Sequence, residues 1–170
     1  MANVTAPCAS AVKPSFAAMV SAPHQLMAMV FGLGLSRVGP GTFGALAGVA
    51  LFAALQPVPL AGRVLAYLLL IIAGAWACQR TGEDLNSPDH NAMVIDETLG
   101  MSLVLEFVAP GMLVGAASFV LFRLFDVYKP WPIDFVDGKW KGGIFVILDD
   151  LLAAIYTIIA VSLIIVPLLA

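Results

Sequence analysis

Charge is what this sequence has least of. Lys, Arg, Asp and Glu make up 11% of the 170 residues, against about 25% in soluble domains. Histidine occurs twice, and cysteine occurs twice, as Cys8 and Cys78, in no metal-ligand spacing. No long basic run exists, the formal net charge is -3 and the isoelectric point is about 5.1. The shortage of charge excludes an ordinary water-soluble globule, and a hydrophobic content of 61% excludes a disordered chain. The acidic balance weighs against a nucleic-acid partner. The cysteine count excludes a disulfide framework, and Cys78, inside an apolar run, reads as a buried thiol.

What the chain has is apolar length, with a mean hydropathy of +1.00. Roughly 42–56, 64–78, 98–122 and 151–170 are apolar, and 151–170 is long enough to cross a bilayer core of about 30 Å as a helix. Pro57 and Pro59 end the first stretch and join it to the next by a tight turn. Fifteen of the nineteen charged residues fall in two windows, 79–97 and 123–150; the others are Lys13, Arg37, Arg63 and Glu106. The stretch 98–122 therefore decides the topology. As one straight helix of about 37 Å it would separate the windows across the membrane. Pro110-Gly111 breaks it, and a hairpin of about 98–108 and 112–128 brings both windows to one face. The cations agree, since Arg37, Arg80, Arg123, Lys129, Lys139 and Lys141 then share a side, leaving Arg63 opposite, and positive residues favour the cytoplasm. The expected fold is an all-α, polytopic membrane helical bundle. Its helices are short and partly broken, and its polar clusters lie on one, cytoplasmic, face. Residues 1–23, rich in Ala, Ser and Pro, are expected to be a flexible tail rather than a signal peptide. Residues 24–170 are expected to be a single membrane-embedded domain.

Four motifs carry candidate chemistry. In Gly34-Leu35-Ser36-Arg37-Val38-Gly39-Pro40-Gly41-Thr42-Phe43-Gly44, glycines let backbone N–H groups approach an anion, and Arg37 adds a phosphate-type donor. The same residues suit a membrane-entry turn with Thr42 as helix cap and Arg37 snorkelling. Asp89-His90 precedes Asp96-Glu97, a carboxylate pair that suits either Mg²⁺ or a helix start. Arg123, Asp126 and Lys129 recur at intervals of three on one helix face before Pro130, as a phosphate-binding row or an interfacial stripe beside Tyr128, Trp131 and Trp140. Lys139-Trp140-Lys141-Gly142-Gly143 leads to Asp149-Asp150 at the mouth of the last span. Carboxylates there are costly unless paired or metal-bound, although a helix cap uses the same residues. Taken together, carboxylates and cations at helix ends on one face are the equipment for metal-assisted attack on a phosphate ester.

At these residues the chain resembles the phosphatidylglycerophosphatase A family. The matching stretches are FGLGLSRVGPGTFGALAG, SPDHNAMVIDETLGM, FRLFDVYKPWPI and the segment around Gly142, Gly143, Asp149 and Asp150. Their order and spacing both match over roughly residues 26–157. The resemblance implies a Mg²⁺-dependent lipid phosphatase in the bacterial cytoplasmic (inner) membrane, multi-pass and with its site facing the cytoplasm. Its substrate would be phosphatidylglycerophosphate in the bilayer, converted to phosphatidylglycerol and phosphate. On that reading Asp96, Glu97, Asp149 and Asp150 hold the metal, with Asp89 and Asp126 as further candidates. Asp126 also serves as a candidate for orienting the attacking water. Arg37, Arg123 and Lys129 bind the phosphate, with backbone N–H groups of residues 39–42, Gly39, Gly41 and Thr42 among them. His90 is the candidate proton donor to the leaving hydroxyl. Two rivals belong to other classes: a small anion transporter with a path lined by Glu106 and the broken 98–122 segment, and a non-catalytic subunit that binds anionic lipid.

Overall fold

The structure is a computed structural model that describes residues 14–135 and 142–169. Among the described residues there are helices and no strand. Short α1 (Phe16–Ser21) and α2 (Pro23–Ala28) lead through a 3₁₀ segment, Val30–Leu35, into α3 (Pro40–Leu55) and α4 (Leu60–Leu85). These are followed by α5 (Ile95–Phe107), α6 (Met112–Tyr128) and α7 (Gly143–Ala160). A π-helical turn, Val161–Ile165, continues α7 into α8 (Val166–Leu169). Two helices are long and apolar enough to cross a membrane by length and composition, Leu60–Leu85 and Gly143–Leu168; Pro40–Leu55 is apolar but shorter. The outward side of α4 exposes Leu65, Leu68, Leu69 and Ile72.

The helix α5 is the axis of the fold. It packs against α3, α7, α6 and α4 and is buried nearly all round, from Ile95 to Val104, as a central helix must be. Small residues let its neighbours come close. On α3, Gly41, Gly44 and Gly48 form one stripe, and a Cβ on Gly48 would lie 2.5 Å from the Thr98 carbonyl oxygen. The Thr98 hydroxyl sits 2.8 Å from the Val94 carbonyl and 2.9 Å from that of Gly44, so its hydrogen ties α5 to α3. Phe122, Met101, Val104, Ala153 and Ala154 pack the seam among α5, α6 and α7.

The chain reverses at Val108–Gly111, where Gly111 takes a φ of 151°. The 98–122 stretch is thus a hairpin, and Arg123 near the end of α6 comes back to Glu97 in the first turn of α5, 3.5 Å away. The two charged windows meet at one end of the bundle. At the other end Arg63 pairs with Glu106 at 2.9 Å, and Tyr67 bridges Ser102 (2.6 Å) and Glu106 (3.3 Å). Glu106, expected as a lining group of a transport path, is held in this network.

Two expectations are corrected. Residues 16–21, placed in a flexible tail, form α1: Ser15 accepts a bond from the Ala18 N–H, and Met19 is buried against Met29, Leu85 and Ala92. Residues 1–13 lie outside the described residues, as do Lys139, Trp140 and Lys141. The window 79–97 opens as helix, because α4 runs on past the apolar stretch 64–78 through Arg80, Glu83 and Asp84. Bonds from Gln79 and Arg80 to Glu83, and from His24 and Gln25 of α2 to Asp84, support that last turn. Asp149 and Asp150 do not open the last helix: the apolar run Ile144–Leu148 is already helical from Gly143, which sets the pair on an inward face as buried side chains.

Candidate active site

A cavity of about 330 Å³ opens where the start of α3, the loop before α5, the first turn of α5, the last turn of α6 and the second turn of α7 converge. Each element delivers its groups for a local reason. Asp96 and Glu97 occupy the first turn of α5, where negative charge suits the helix dipole. Asp96 Oδ1 also accepts from the Glu97 N–H at 3.0 Å. Arg123 and Asp126 stack one turn apart on α6, and Lys129 follows as its left-handed cap with φ 42°. Asp149 and Asp150 enter from α7, whose start is anchored by the Gly143 N–H donating to Gln79 Oε1 at 2.9 Å.

The carboxylates divide into two groups. Asp126 and Asp149 are tied to cations: Arg123 Nη1 donates to Asp126 Oδ2, and Lys129 Nζ lies 2.6 Å from Asp149 Oδ2. Asp96 and Asp150 have no cation partner among the described residues. One oxygen from each of Asp96, Glu97 and Asp150 falls within 4.8 Å of the others. Asp150 is 3% exposed, and both its Oδ2 and Glu97 Oε2 are buried without a hydrogen-bond partner. A buried, unpartnered carboxylate oxygen is costly unless a cation meets it. Three hard oxygen donors suit a small divalent ion such as Mg²⁺, so the residues present fit the metal that the sequence implied.

Gly41 shows how closely α3 approaches. A Cβ there would lie 2.2 Å from Glu97 Oε1 and 2.8 Å from both terminal nitrogens of Arg123. Gly39 (φ 56°) precedes Pro40 as the helix cap, a left-handed position that favours glycine. The helix therefore starts at Pro40 rather than at Thr42, and Thr42 is not its cap.

Of the residues singled out by sequence, Gly39, Gly41, Asp89, Asp96, Glu97, Arg123, Asp126, Lys129, Asp149 and Asp150 line this one cavity. Arg37, Thr42 and His90 do not. Arg37 is exposed, and His90 turns back on its own loop, its Nδ1 accepting from the Ala92 N–H at 3.1 Å. The expected backbone donors of 39–42 also narrow. Pro40 has no N–H, and that of Thr42 goes to the Gly39 carbonyl at 2.9 Å, leaving Gly39 and Gly41. Sequence reading missed Asn91, Met93 and Val127, which complete the lining. Asn91 carried a signal, as the next polar residue after Asp89-His90; the two apolar residues carried none. With six carboxylates against Arg123 and Lys129, the cavity is anionic until cations enter it.

The family model for Phosphatidylglycerophosphatase A matches residues 26–165, and the chain belongs to that family. It is 36% identical over 137 residues to the Escherichia coli K12 protein named phosphatidylglycerophosphatase A, covering 80% of each chain. It is 39% identical over 142 residues to the Haemophilus influenzae Rd protein of the same name, covering 82% of this chain and 86% of that one. A Bacteroides thetaiotaomicron protein provisionally named a phosphatidylinositol-3-phosphatase is 34% identical over 140 residues, covering 78% of this chain and 87% of its own. No solved structure matches the chain.

Proposed function

We propose that this member of the phosphatidylglycerophosphatase A family is a Mg²⁺-dependent lipid phosphatase. It removes the terminal phosphate of phosphatidylglycerophosphate, leaving phosphatidylglycerol and inorganic phosphate. The observation that carries the reading is the convergence of Asp96, Glu97 and Asp150, with Asp150 Oδ2 buried and unpartnered, beside Arg123 and Lys129.

Asp96, Glu97 and Asp150 hold the metal in this reading. Bound Mg²⁺ would neutralise phosphate charge and make water a better nucleophile. Arg123 and Lys129 orient the phosphate oxygens as charge-assisted donors, and Asp126 and Asp149 fix those cations in place. The Gly39 and Gly41 N–H groups face the same phosphate at the start of α3. Asp126 positions the attacking water and receives its proton. A new P–O bond forms to the water oxygen as the bond to the glycerol oxygen breaks. That oxygen takes a proton from solvent at the mouth of the cavity, where Asp89 and Asn91 stand, which replaces the donor role expected of His90.

The bilayer setting belongs to the same proposal. α4 and the Gly143–Leu168 helix, packed on each other, cross the inner membrane, while α3 and the α5–α6 hairpin complete the bundle beside them. The apolar outward row on α4 supports burial in lipid. Arg37, Arg80, Arg123 and Lys129 mark the cavity end as cytoplasmic. The test is turnover by D96N and D150N protein purified in detergent. Each is expected to release phosphate from phosphatidylglycerophosphate at least ~10²-fold more slowly than the unaltered chain. Near-normal turnover by D150N would overturn the assignment of this carboxylate cluster.

A further inference from the structure

The first turn of α5 has two sides. Asp96 and Glu97 face the polar cavity, whereas Ile95 and Thr98 form part of a groove of about 510 Å³ bounded by Met27, Ala47, Leu51 and Leu70. This volume lies within the range of ligand sites, about 300–1,000 Å³. Thr98 is the sole polar side chain in its lining, and its hydroxyl is already committed to backbone carbonyls. The groove therefore offers a ligand nothing but hydrocarbon.

Cavity and groove share a wall. Met93 lines the cavity and belongs to the apolar cluster that contains Ile95; Met27, Val30, Leu51 and Leu70 pack on that cluster from the groove side. The groove also has a direction. Leu70 lies ten residues before Arg80 on α4, about 15 Å from the charged end, so the groove descends from the polar end in the gap between α3 and α4, over the first turn of α5. At its upper rim Val30 and Phe31 take φ values of 45° and 55°, a region that β-branched and bulky residues rarely occupy. Backbone strain of this kind is concentrated at binding sites. It holds Phe31 outward, 78% exposed, at the rim.

We propose that this groove takes one acyl chain of the lipid substrate while the headgroup phosphate occupies the cavity. The proposal rests on the lipid-phosphatase reading above. A ligand with a charged end and a hydrocarbon tail needs an anion site and an apolar channel that adjoin, and the first turn of α5 supplies both from opposite sides.

Two measurements test it. In protein supplied with Mg²⁺, a phosphatidylglycerol carrying a diazirine in one acyl chain is expected to label Met27, Leu51 and Leu70 above the outward row of Leu65, Leu68 and Leu69. Labelling that favours the outward row, or falls evenly on both, would overturn the proposal. In kinetics, A47F fills the groove without touching the cavity. It is expected to raise KM for dipalmitoyl phosphatidylglycerophosphate about tenfold, since single apolar contacts discriminate by ~10–200-fold. KM for the dibutanoyl analogue should stay unchanged. Folded A47F that treats both substrates alike contradicts the proposal. Should A47F fail to fold, or the unaltered protein hydrolyse neither substrate, the labelling pattern still decides the groove; failure on both substrates counts against the phosphatase reading alone.

Discussion

Gly41 is the residue at which folding and chemistry constrain the same atoms. A methyl group there would overlap Glu97 and Arg123, two side chains that the proposed mechanism needs in register. G41A is expected to keep its helical fold in detergent but to lose about 10²-fold in turnover, because small displacements of positioned groups cost that much; unchanged phosphate release would show that the close approach has no catalytic consequence. Asp150 gives a second residue-scale expectation. Its buried oxygen lacks a partner, so Mg²⁺ should raise the Tm of the unaltered protein and raise that of D150N much less, as any ligand selective for the folded state does. An equal rise in both proteins would place the ion elsewhere. Most of the residues that line the cavity were legible in the sequence because carboxylates and cations are scarce and each one at a helix end is conspicuous. Arg37, Thr42 and His90 lie outside the cavity lining, because proximity in sequence does not set side-chain direction. His90 is two residues from Ala92 and turns to its N–H, which periodicity does not reveal. Met93 and Val127 are ordinary apolar residues that only the packing brings to the cavity.

At the scale of elements, the α5–α6 hairpin was legible from Pro110-Gly111, which removes a backbone donor and admits a positive φ. The end of α3 was legible from Pro57. The length of α4 was not, because the apolar stretch stops at Cys78, and the bonds of Gln79 to Glu83 and of His24 and Gln25 to Asp84 that support its last turn join residues no sequence pattern pairs. The glycines of the 34–44 motif were read as anion-binding, yet Gly44, like Gly48 beyond it, lies against α5 and serves helix packing, which the sequence of α3 cannot show without its partner. The Arg63–Glu106 pair anchors the far ends of α4 and α5, with Glu106 only 12% exposed. E106Q leaves the guanidinium without its charge partner and should destabilise the protein by about 3 kcal/mol, the scale for breaking a buried pair. Replacing both residues by leucine should recover much of that loss. Thermal unfolding in detergent checks this, and a double variant less stable than E106Q would contradict it.

At the scale of the whole molecule, the bundle has one polar end and one nearly apolar end, and the sequence foretold this from the gathering of charge in two windows. The proposed topology makes the polar end cytoplasmic. With Cys8 replaced by serine and Cys78 buried, a cysteine placed at Asn91 should react with a membrane-impermeant maleimide only in inside-out vesicles, whereas labelling in right-side-out cells would reverse the orientation. The chemistry of the whole is tested most directly by phosphate release from purified protein. The assay compares phosphatidylglycerophosphate with phosphatidic acid at equal loading, each with Mg²⁺ and with EDTA. The expected result is release that requires Mg²⁺ and favours phosphatidylglycerophosphate. Release that persists in EDTA, or none from either lipid by folded protein, would contradict the metal-assisted phosphatase reading of the Asp96, Glu97 and Asp150 cluster.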